Sequence, residues 1–399
     1  MSSDPEKHWS GVELFGLTSE EFVDKFSGKI ILDRLGGRDG AMAAYRRMFR
    51  NAELSAPGPN VGTVEVPPVV EILREDCAEG EVVKFLTRIK RDASGDASGG
   101  AGRLPDDVTI ESVLIPMIGT SRVSTYTLCV SSQVGCAMGC GFCETAQMGL
   151  IRSLTAGEIV SQWFHAVHTI GIRPKNLVFM GMGEPMDNYD NVMQAVSVLK
   201  DHNGPHVALS SITISTVGRI DGIRKMAEQI KKPGWHRLQL ALSLNASNDT
   251  VRDSIMPVNR KWNIEDLKRE LQAWPKFAGN KLCIEYVLIP GVNDSVQHLD
   301  ELAIFMAGFR EERGKPRGVL NLIPYNPRRN SPWPAPDEAH VIWFLQGLID
   351  RGVFAKRRRT KGREMMGACG QLGSEHIRHR RLIAPTISAP PTGPVATSA

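Results

Sequence analysis

From Cys129 onward the chain alternates short apolar runs with longer amphipathic ones, and this alternation restricts the fold more than any other feature. The runs NLVFM (176–180), SITIS (211–215), LQLALSL (238–244), LCIEYVLI (282–289) and VLNLIPY (319–325) have the length and β-branched content of buried strands. Between and after them, LTAGEIVSQWFHAVHTIG, NVMQAVSVLKDH, IEDLKRELQAW, LDELAIFMAGF and AHVIWFLQGLI have helical spacing. The first of these opens with Thr155 and Glu158 spaced as a capping box. VFAKRRRT (353–360) reads as a last edge strand. Strands that alternate with helices are joined by crossovers and run parallel, so the fold class is α/β, as a barrel or an open sheet. No short internal repeat is evident.

The rest of the chain divides around this core. Residues 1–80 read as a polar, helical accessory domain. In it, LTSEEFVDKFSG offers Thr18 or Ser19 as an N-cap, and GAMAAYRRMFRNAE is amphipathic. Residues 81–116 read as a hairpin connector, with strands EVVKFLTRIKRD (81–92) and VTIESVLIP (108–116) around a flexible insert, ASGDASGGAG (93–102). The core follows over 117–380, and 381–399, rich in Pro, Ala, Ser and Thr, reads as a disordered tail. The N-terminus MSSDPEKHWSG lacks the apolar core of a signal peptide, and no apolar run is long enough to span a membrane. A cytoplasmic protein with reduced thiols is therefore expected. A net charge of +4 says little about partners; its distribution says more.

Five polar or Gly-bearing segments fall at the carboxyl ends of the strands: GMGEP, STVG, SLNASND, PGVND and YNP. In parallel α/β folds that rim binds ligands. Any single one of these turns would need Gly, Asn or Pro for its geometry alone. Five on one edge, beside a cysteine loop, point to a site.

That loop is CVSSQVGCAMGCGFCETA, which holds four of the seven cysteines. Cys136, Cys140 and Cys143 are spaced C-x3-C-x2-C with Phe142 before the last, and Cys129 stands seven residues upstream. Reduced thiols in so short a span point to metal binding or catalysis rather than to a disulfide framework. Structural zinc takes four ligands, usually from two C-x2-C knuckles, and only one such pair exists here. Iron–sulfur clusters are held by thiolates on short loops, and three cysteines leave one iron open to a small molecule. This spacing is the signature of radical S-adenosylmethionine (radical SAM) enzymes.

Taken in order, CVSSQVGC, FMGMGEP, STVG, PGVNDS, YNP and ACGQL resemble the RlmN/Cfr family of radical SAM methyltransferases, over roughly residues 105–375. The resemblance implies a partial (β/α)6 barrel with a small helical N-terminal domain that binds RNA. It implies methylation of an adenine ring carbon, C2 or C8, in 23S rRNA at the peptidyl-transferase centre, with tRNA as a second target. A 4Fe–4S cluster would be held by Cys136, Cys140 and Cys143. S-adenosylmethionine would be bound at its methionine end by Gly183 and Glu184, and elsewhere by Ser215, Ser243, Leu244, Asn245 and Asn326. Glu111 matches a proton acceptor, Cys369 the cysteine that becomes methylated, and Cys129 its partner. An external reductant such as flavodoxin and a monomeric state complete the expectation.

Two lone cysteines suit such chemistry because adenine C2 and C8 are not nucleophilic, whereas a thiolate is. A thiolate can take the methyl group first. A hydrogen atom removed from it then makes a carbon radical that adds to the ring, and a second thiol resolves the linkage as a disulfide. Cys77 and Cys283 read as small buried hydrophobes without a role. The basic runs AKRRRTKGR (355–363) and HIRHRR (376–381) bracket Cys369 and are expected to grip phosphates. The chain departs from the family at Asn245, where many relatives carry His, at Glu144, where small residues are usual, and in the 93–102 insert. Two other readings remain at this level. A radical SAM enzyme that modifies a protein or peptide does not need Cys129 and Cys369 so placed. A non-catalytic iron–sulfur RNA-binding protein does not need an intact GMGEP.

Overall fold

The computed structural model describes residues 12–26, 35–55, 64–90, 107–118, 124–277, 282–310 and 315–373, together with Asp33. The insert at 93–102, the tail at 381–399 and the basic run at 376–381 lie outside the described residues.

One sheet organises the chain. Its strands are β1 (Val69–Cys77), β2 (Gly80–Lys90), β3 (Asp107–Ile118), β4 (Ser124–Cys129), β7 (Asn176–Phe179), β8 (Ile212–Thr216), β9 (Gln239–Ser243), β10 (Leu282–Leu288), β11 (Gly318–Pro324) and β12 (Ala355–Arg357), in that spatial order. A separate small ladder pairs β5 (Gln133–Gly135) with β6 (Leu150–Ser153). The first four strands pair antiparallel. From β4 onward every pairing is parallel. The parallel run β4, β7, β8, β9, β10 and β11 is the expected partial (β/α)6 barrel, with β12 as a short edge.

The helices are α1 (Ser19–Phe26), α2 (Gly37–Asn51), α3 (Ala156–Phe164), α4 (Tyr189–Lys200), α5 (Ile220–Gln229), α6 (Asp249–Ile255), α7 (Ile264–Gln272), α8 (Val296–Ala307) and α9 (Glu338–Asp350). Thr155 caps α3 as expected: its Oγ1 accepts from Glu158 N at 3.3 Å while Glu158 Oε2 accepts from Thr155 N at 2.9 Å. Helices α5 and α6 have no counterpart in the sequence expectation. Among the described residues, no helix is long and apolar enough to cross a membrane.

One expected boundary needs correction. The helical segment does not run to residue 80, because Val69–Cys77 is a strand of the main sheet, paired with β2 through a turn at its end. Its sequence, VVEILREDC, is charged, and as an edge strand it has one exposed face (Val70, Ile72, Arg74, Asp76) and one mostly half-buried face, each mixing apolar and charged side chains, so the apolar alternation that marks buried strands is absent.

The 12–16 turn and α2 pack on α3 through aromatic rings, and α1 packs on α2. Phe15 meets Phe164 edge-on at 5.1 Å, Phe49 meets Trp163 at 6.4 Å and Phe22 meets Tyr45 at 5.3 Å, and these rings belong to the same buried core as the sheet. Polar ties add direction: Ser19 N donates to Asp201 Oδ2 at 2.6 Å and Arg46 Nε to Asn203 Oδ1 at 2.8 Å. Close approach requires Gly157, since a Cβ there would lie 1.9 Å from Val12 O. We expect Gly157→Val to force the 12–16 turn off α3 at a cost of about 1–3 kcal/mol, as overpacking does. A lowered melting temperature with proteolysis confined to residues 12–55 is the readout. Unchanged melting would contradict this packing.

Candidate active site

The carboxyl ends of the parallel strands enclose a cavity of about 900 Å3, open to solvent. It is lined by Cys136, Cys140 and Cys143 from the loop after β4. Gly183 and Glu184 follow β7, Ser215 and Thr216 end β8, and Ser243 and Asn245 come from the end of β9. Glu285 of β10, Asn326 after β11, and Cys369 complete the wall. The rim expected from the strand ends and the expected cysteine loop thus form one site.

Three of the residues read from sequence for the site do not line it. Leu244 is fully buried, and its backbone is what matters: its N–H donates to Glu285 O at 3.0 Å and its carbonyl accepts from Arg252 Nε at 2.9 Å. Glu111 is buried on β3 with Oε2 2.7 Å from Lys84 Nζ. It is neither solvated nor in the cavity wall. Cys129 is buried behind the wall, close enough to Cys369 and Arg358 to feel their charge.

The cysteine loop is tightly held. Gly135 has φ 76°, and a Cβ there would lie 1.8 Å from Gly149 O. Gly141 N donates to Ile255 O at 2.9 Å, and Gly141 O accepts from Arg328 Nε at 2.8 Å. Burial pushes the thiols of Cys136 and Cys140 up, and each is pushed further by a neighbouring thiol, Cys140 for the first and Cys143 for the second. Guanidinium charge opposes this: Arg252 acts on Cys140, and Cys143 in turn props up the buried Arg328. Among the described residues no three His, Cys, Asp or Glu gather around one point as a single ion would need. A four-iron cluster takes each thiolate on a different iron, so dispersed thiols on one wall suit it. The donor set fits: three thiols face one cavity, with the buried Arg252 and Arg328 behind them to offset thiolate charge.

The opposite wall is built for a polar ligand. Gly183 has φ 99°, and a Cβ would lie 2.5 Å from Gln133 Cβ, so only glycine lets this backbone reach the cavity. Glu184 is raised by burial and drawn back by hydrogen bonds, with Oε2 accepting from Val217 N at 2.9 Å and Oε1 from Met186 N at 3.0 Å. Thr216 adds a side-chain hydrogen bond, so three of the four lone pairs of the carboxylate are engaged and one stays open to a ligand amine. Asn245 has φ 57°, a left-handed conformation that Asn tolerates better than most side chains. Its Oδ1 accepts from Val287 N at 3.0 Å, so the side chain that departs from the family braces β10.

Three charged residues were missed from sequence. Arg252 is fully buried. Its Nε donates to Leu244 O, its Nη1 to Asn259 Oδ1 at 2.9 Å, and its Nη2 to Val217 O at 2.6 Å and Ser243 O at 3.3 Å. It joins two strand-end loops of the cavity. Glu285 accepts from Ser215 Oγ at 3.2 Å, while its Oε1 has no hydrogen-bond partner and lies 4.0 Å from Arg358 Nη1. Arg358 sits among Cys369, Glu285, Cys129 and Cys283. The signal for Glu285 was present: a lone carboxylate inside LCIEYVLI, a strand otherwise buried.

The basic run at 355–363 does not form one continuous face. Arg357 pairs with Glu338, Arg359 and Lys361 with Glu79, Arg363 donates to Asn326 Oδ1, and Arg358 points inward. Successive side chains of a strand face opposite ways, so a run of charge on β12 is divided between surfaces.

Residues 130–303 match the Radical SAM superfamily. The fold and the cysteine-walled cavity are those of this class, and a radical SAM methyltransferase from Sphaerobacter thermophilus superposes with a TM-score of 0.73 at 32% identity, covering 90% of this chain and 98% of that one. The probable dual-specificity RNA methyltransferase RlmN 1 of Protochlamydia amoebophila is 36% identical over 372 residues, 93% of this chain and 96% of the relative. The dual-specificity RNA methyltransferase RlmN of Anaeromyxobacter sp. (strain Fw109-5) is 39% identical over 356 residues, 86% of this chain and 89% of the relative. The chain belongs to the RlmN family of radical SAM RNA methyltransferases. The cofactors of this family are a 4Fe–4S cluster and S-adenosylmethionine.

Arg252→Met would leave the carbonyls of Val217, Ser243 and Leu244 without their donor, each a buried group that costs about 1–3 kcal/mol when unpaired. We expect S-adenosylmethionine to bind about tenfold more weakly, or about 1.4 kcal/mol, by calorimetry. Unchanged affinity in a folded variant would show that these loops hold without it.

Proposed function

We propose that this chain methylates a ring carbon, C2 or C8, of an adenosine in RNA, with 23S rRNA as its main substrate and tRNA as a second. The reading rests on one observation. Cys369 lines the cavity of Cys136, Cys140 and Cys143, with Cys129 behind it and the Arg358 charge between the two lone thiols. All of them are free thiols.

Burial raises the Cys369 thiol, and Arg358 draws it back down, so the cavity favours its thiolate more than burial alone would. That thiolate attacks the methyl carbon of S-adenosylmethionine; a C–S bond forms, and S-adenosylhomocysteine leaves with the electron pair. When bound, the cluster and a second S-adenosylmethionine supply the radical that removes a hydrogen atom from the S-methyl group. The Cys369 methylene then joins the adenine ring, so that enzyme and RNA share one covalent bond. A base would take the ring proton as the ring gives up its unpaired electron to the one-electron acceptor that the oxidised cluster would supply, and for Glu111 to be that base Lys84 has to release its carboxylate. The Cys129 thiolate attacks the Cys369 sulfur, the S–C bond breaks, and a disulfide forms as the methylated base takes the electron pair and a proton. An external reductant such as flavodoxin returns the electrons. The base must leave its stack to reach this depth. The protein works as a monomer in the cytoplasm. Cluster ligation is assigned to Cys136, Cys140 and Cys143. Gly183, Glu184, Ser215, Ser243, the Leu244 backbone, Asn245 and Asn326 are assigned to S-adenosylmethionine.

The test is mass mapping of methyladenosines in rRNA and tRNA from cells with and without this protein, joined to two variants. Cys129→Ala keeps the carrier and should accumulate enzyme bound covalently to RNA, stable to denaturation. Cys129→Ala combined with Cys369→Ala should give no adduct. Normal turnover by Cys129→Ala, or an adduct without Cys369, would overturn the assigned roles. Identical methylation maps would overturn the substrate and favour a protein or peptide target.

A further inference from the structure

Lys84 is a buried lysine on β2, with a side chain only 6% exposed. Burying an ammonium is costly unless it is paired and its protons are taken up. Here it is paired and two of its protons are taken up. Nζ donates to Met365 O at 3.3 Å and Met366 O at 3.2 Å, and it lies 2.7 Å from Glu111 Oε2 as an ion pair without hydrogen-bond geometry. The two carbonyls belong to the segment that leads into Cys369.

The sheet register ties the same lysine to Cys129. Lys84 stands opposite Val113, and Val113 opposite Cys129. Directly opposed residues share a face, so Lys84 and Cys129 stand in one cross-strand row. Met366 has φ 53°, a left-handed conformation uncommon for a long side chain, and Gly367 N closes the loop on Gly362 O at 2.7 Å. Such a conformation persists where its surroundings hold it. Glu75 on β1 accepts from Gly362 N at 3.1 Å and Met365 N at 3.2 Å, so the antiparallel hairpin is the dock.

We propose that Lys84, charge-balanced by Glu111, is a positioning residue that holds the Cys369-bearing loop in line with Cys129. The anchor itself is independent of the methyl-carrier reading; only its consequence for Cys369 chemistry rests on that reading. Glu111 on this account acts first through Lys84.

Hydrogen exchange on the full chain tests the anchor, and the methyl occupancy of Cys369 by peptide mass spectrometry tests its consequence. Lys84→Met leaves Glu111 uncompensated; Lys84→Met with Glu111→Leu removes both charges and decides the matter if the single variant does not fold. In both, the 362–367 amides should exchange at least about tenfold faster than in the wild type, while β10 and β11 are unchanged. Methyl occupancy of Cys369 should fall several-fold. Wild-type exchange in the folded double variant would overturn the proposal, because Lys84 would then serve only to neutralise Glu111. Unprotected 362–367 amides in the wild-type chain would overturn it as well. Absence of methyl on wild-type Cys369 would instead sink the methyl-carrier reading and leave exchange to decide the anchor.

Discussion

The Arg358 guanidinium is the charge that the two lone cysteines share. Its backbone N–H donates to Leu322 O at 2.8 Å, which continues the β11–β12 pairing and turns the side chain inward. Inside, it faces Cys369, Glu285, Cys129 and Cys283, four groups that are neutral or anionic. Burial raises all of them and the guanidinium opposes it: Cys129 is pushed up to about 12 and Cys283 to about 12 even with Arg358 drawing both down. A thiol kept protonated is a poor nucleophile. The charge that favours thiolate here is a guanidinium just past β12, the last and shortest strand of the sheet.

That placement explains why the segment after β12 is so heavily tied. A partial barrel has an open side, and here residues 359–367 lean from β12 towards the antiparallel strands. Arg359 meets Glu79, Lys361 donates to Pro116 O, and Glu75 and Lys84 hold the backbone further on. Past Cys369 the ties change sides. Glu144 N donates to Gly370 O's lone pair at 2.7 Å, and Thr145 Oγ1 donates to Leu372 O at 2.6 Å. The hairpin fixes the approach to Cys369 and the cysteine loop fixes its exit, so the position of this thiol is set from both directions.

Much of this was legible in the sequence because it follows from local rules. Strand and helix alternation gave the parallel sheet, Thr155 and Glu158 gave a cap, and the glycine of GMGEP marked a backbone that only glycine can take. What was not legible depends on which face a residue meets. The basic run read as one patch because charge along a sequence carries no face information, while on β12 neighbouring side chains part. Glu111 read as a proton acceptor, and only the register of β2 on β3 sets it diagonally against Lys84. Val69–Cys77 was hidden because an edge strand needs no clean apolar alternation.

The two departures from the family pattern have different physical standing. Asn245 replaces a frequent His at a position with φ 57°, and it uses its amide oxygen on Val287 N, so the substitution serves the backbone that carries the site. Glu144 is buried beside Cys143, where a carboxylate is expensive unless its oxygens are occupied. One oxygen accepts from Arg329 N at 3.0 Å, in the loop that also delivers Asn326, and Arg328 of that loop holds Gly141 O. The acidic side chain thus joins the loop after β11 to the cysteine loop, while its own backbone joins the cysteine loop to Cys369. A small residue at 144 would keep the second link and lose the first. The cost of burying that carboxylate is met by tying together the three loops that have to meet around one cavity.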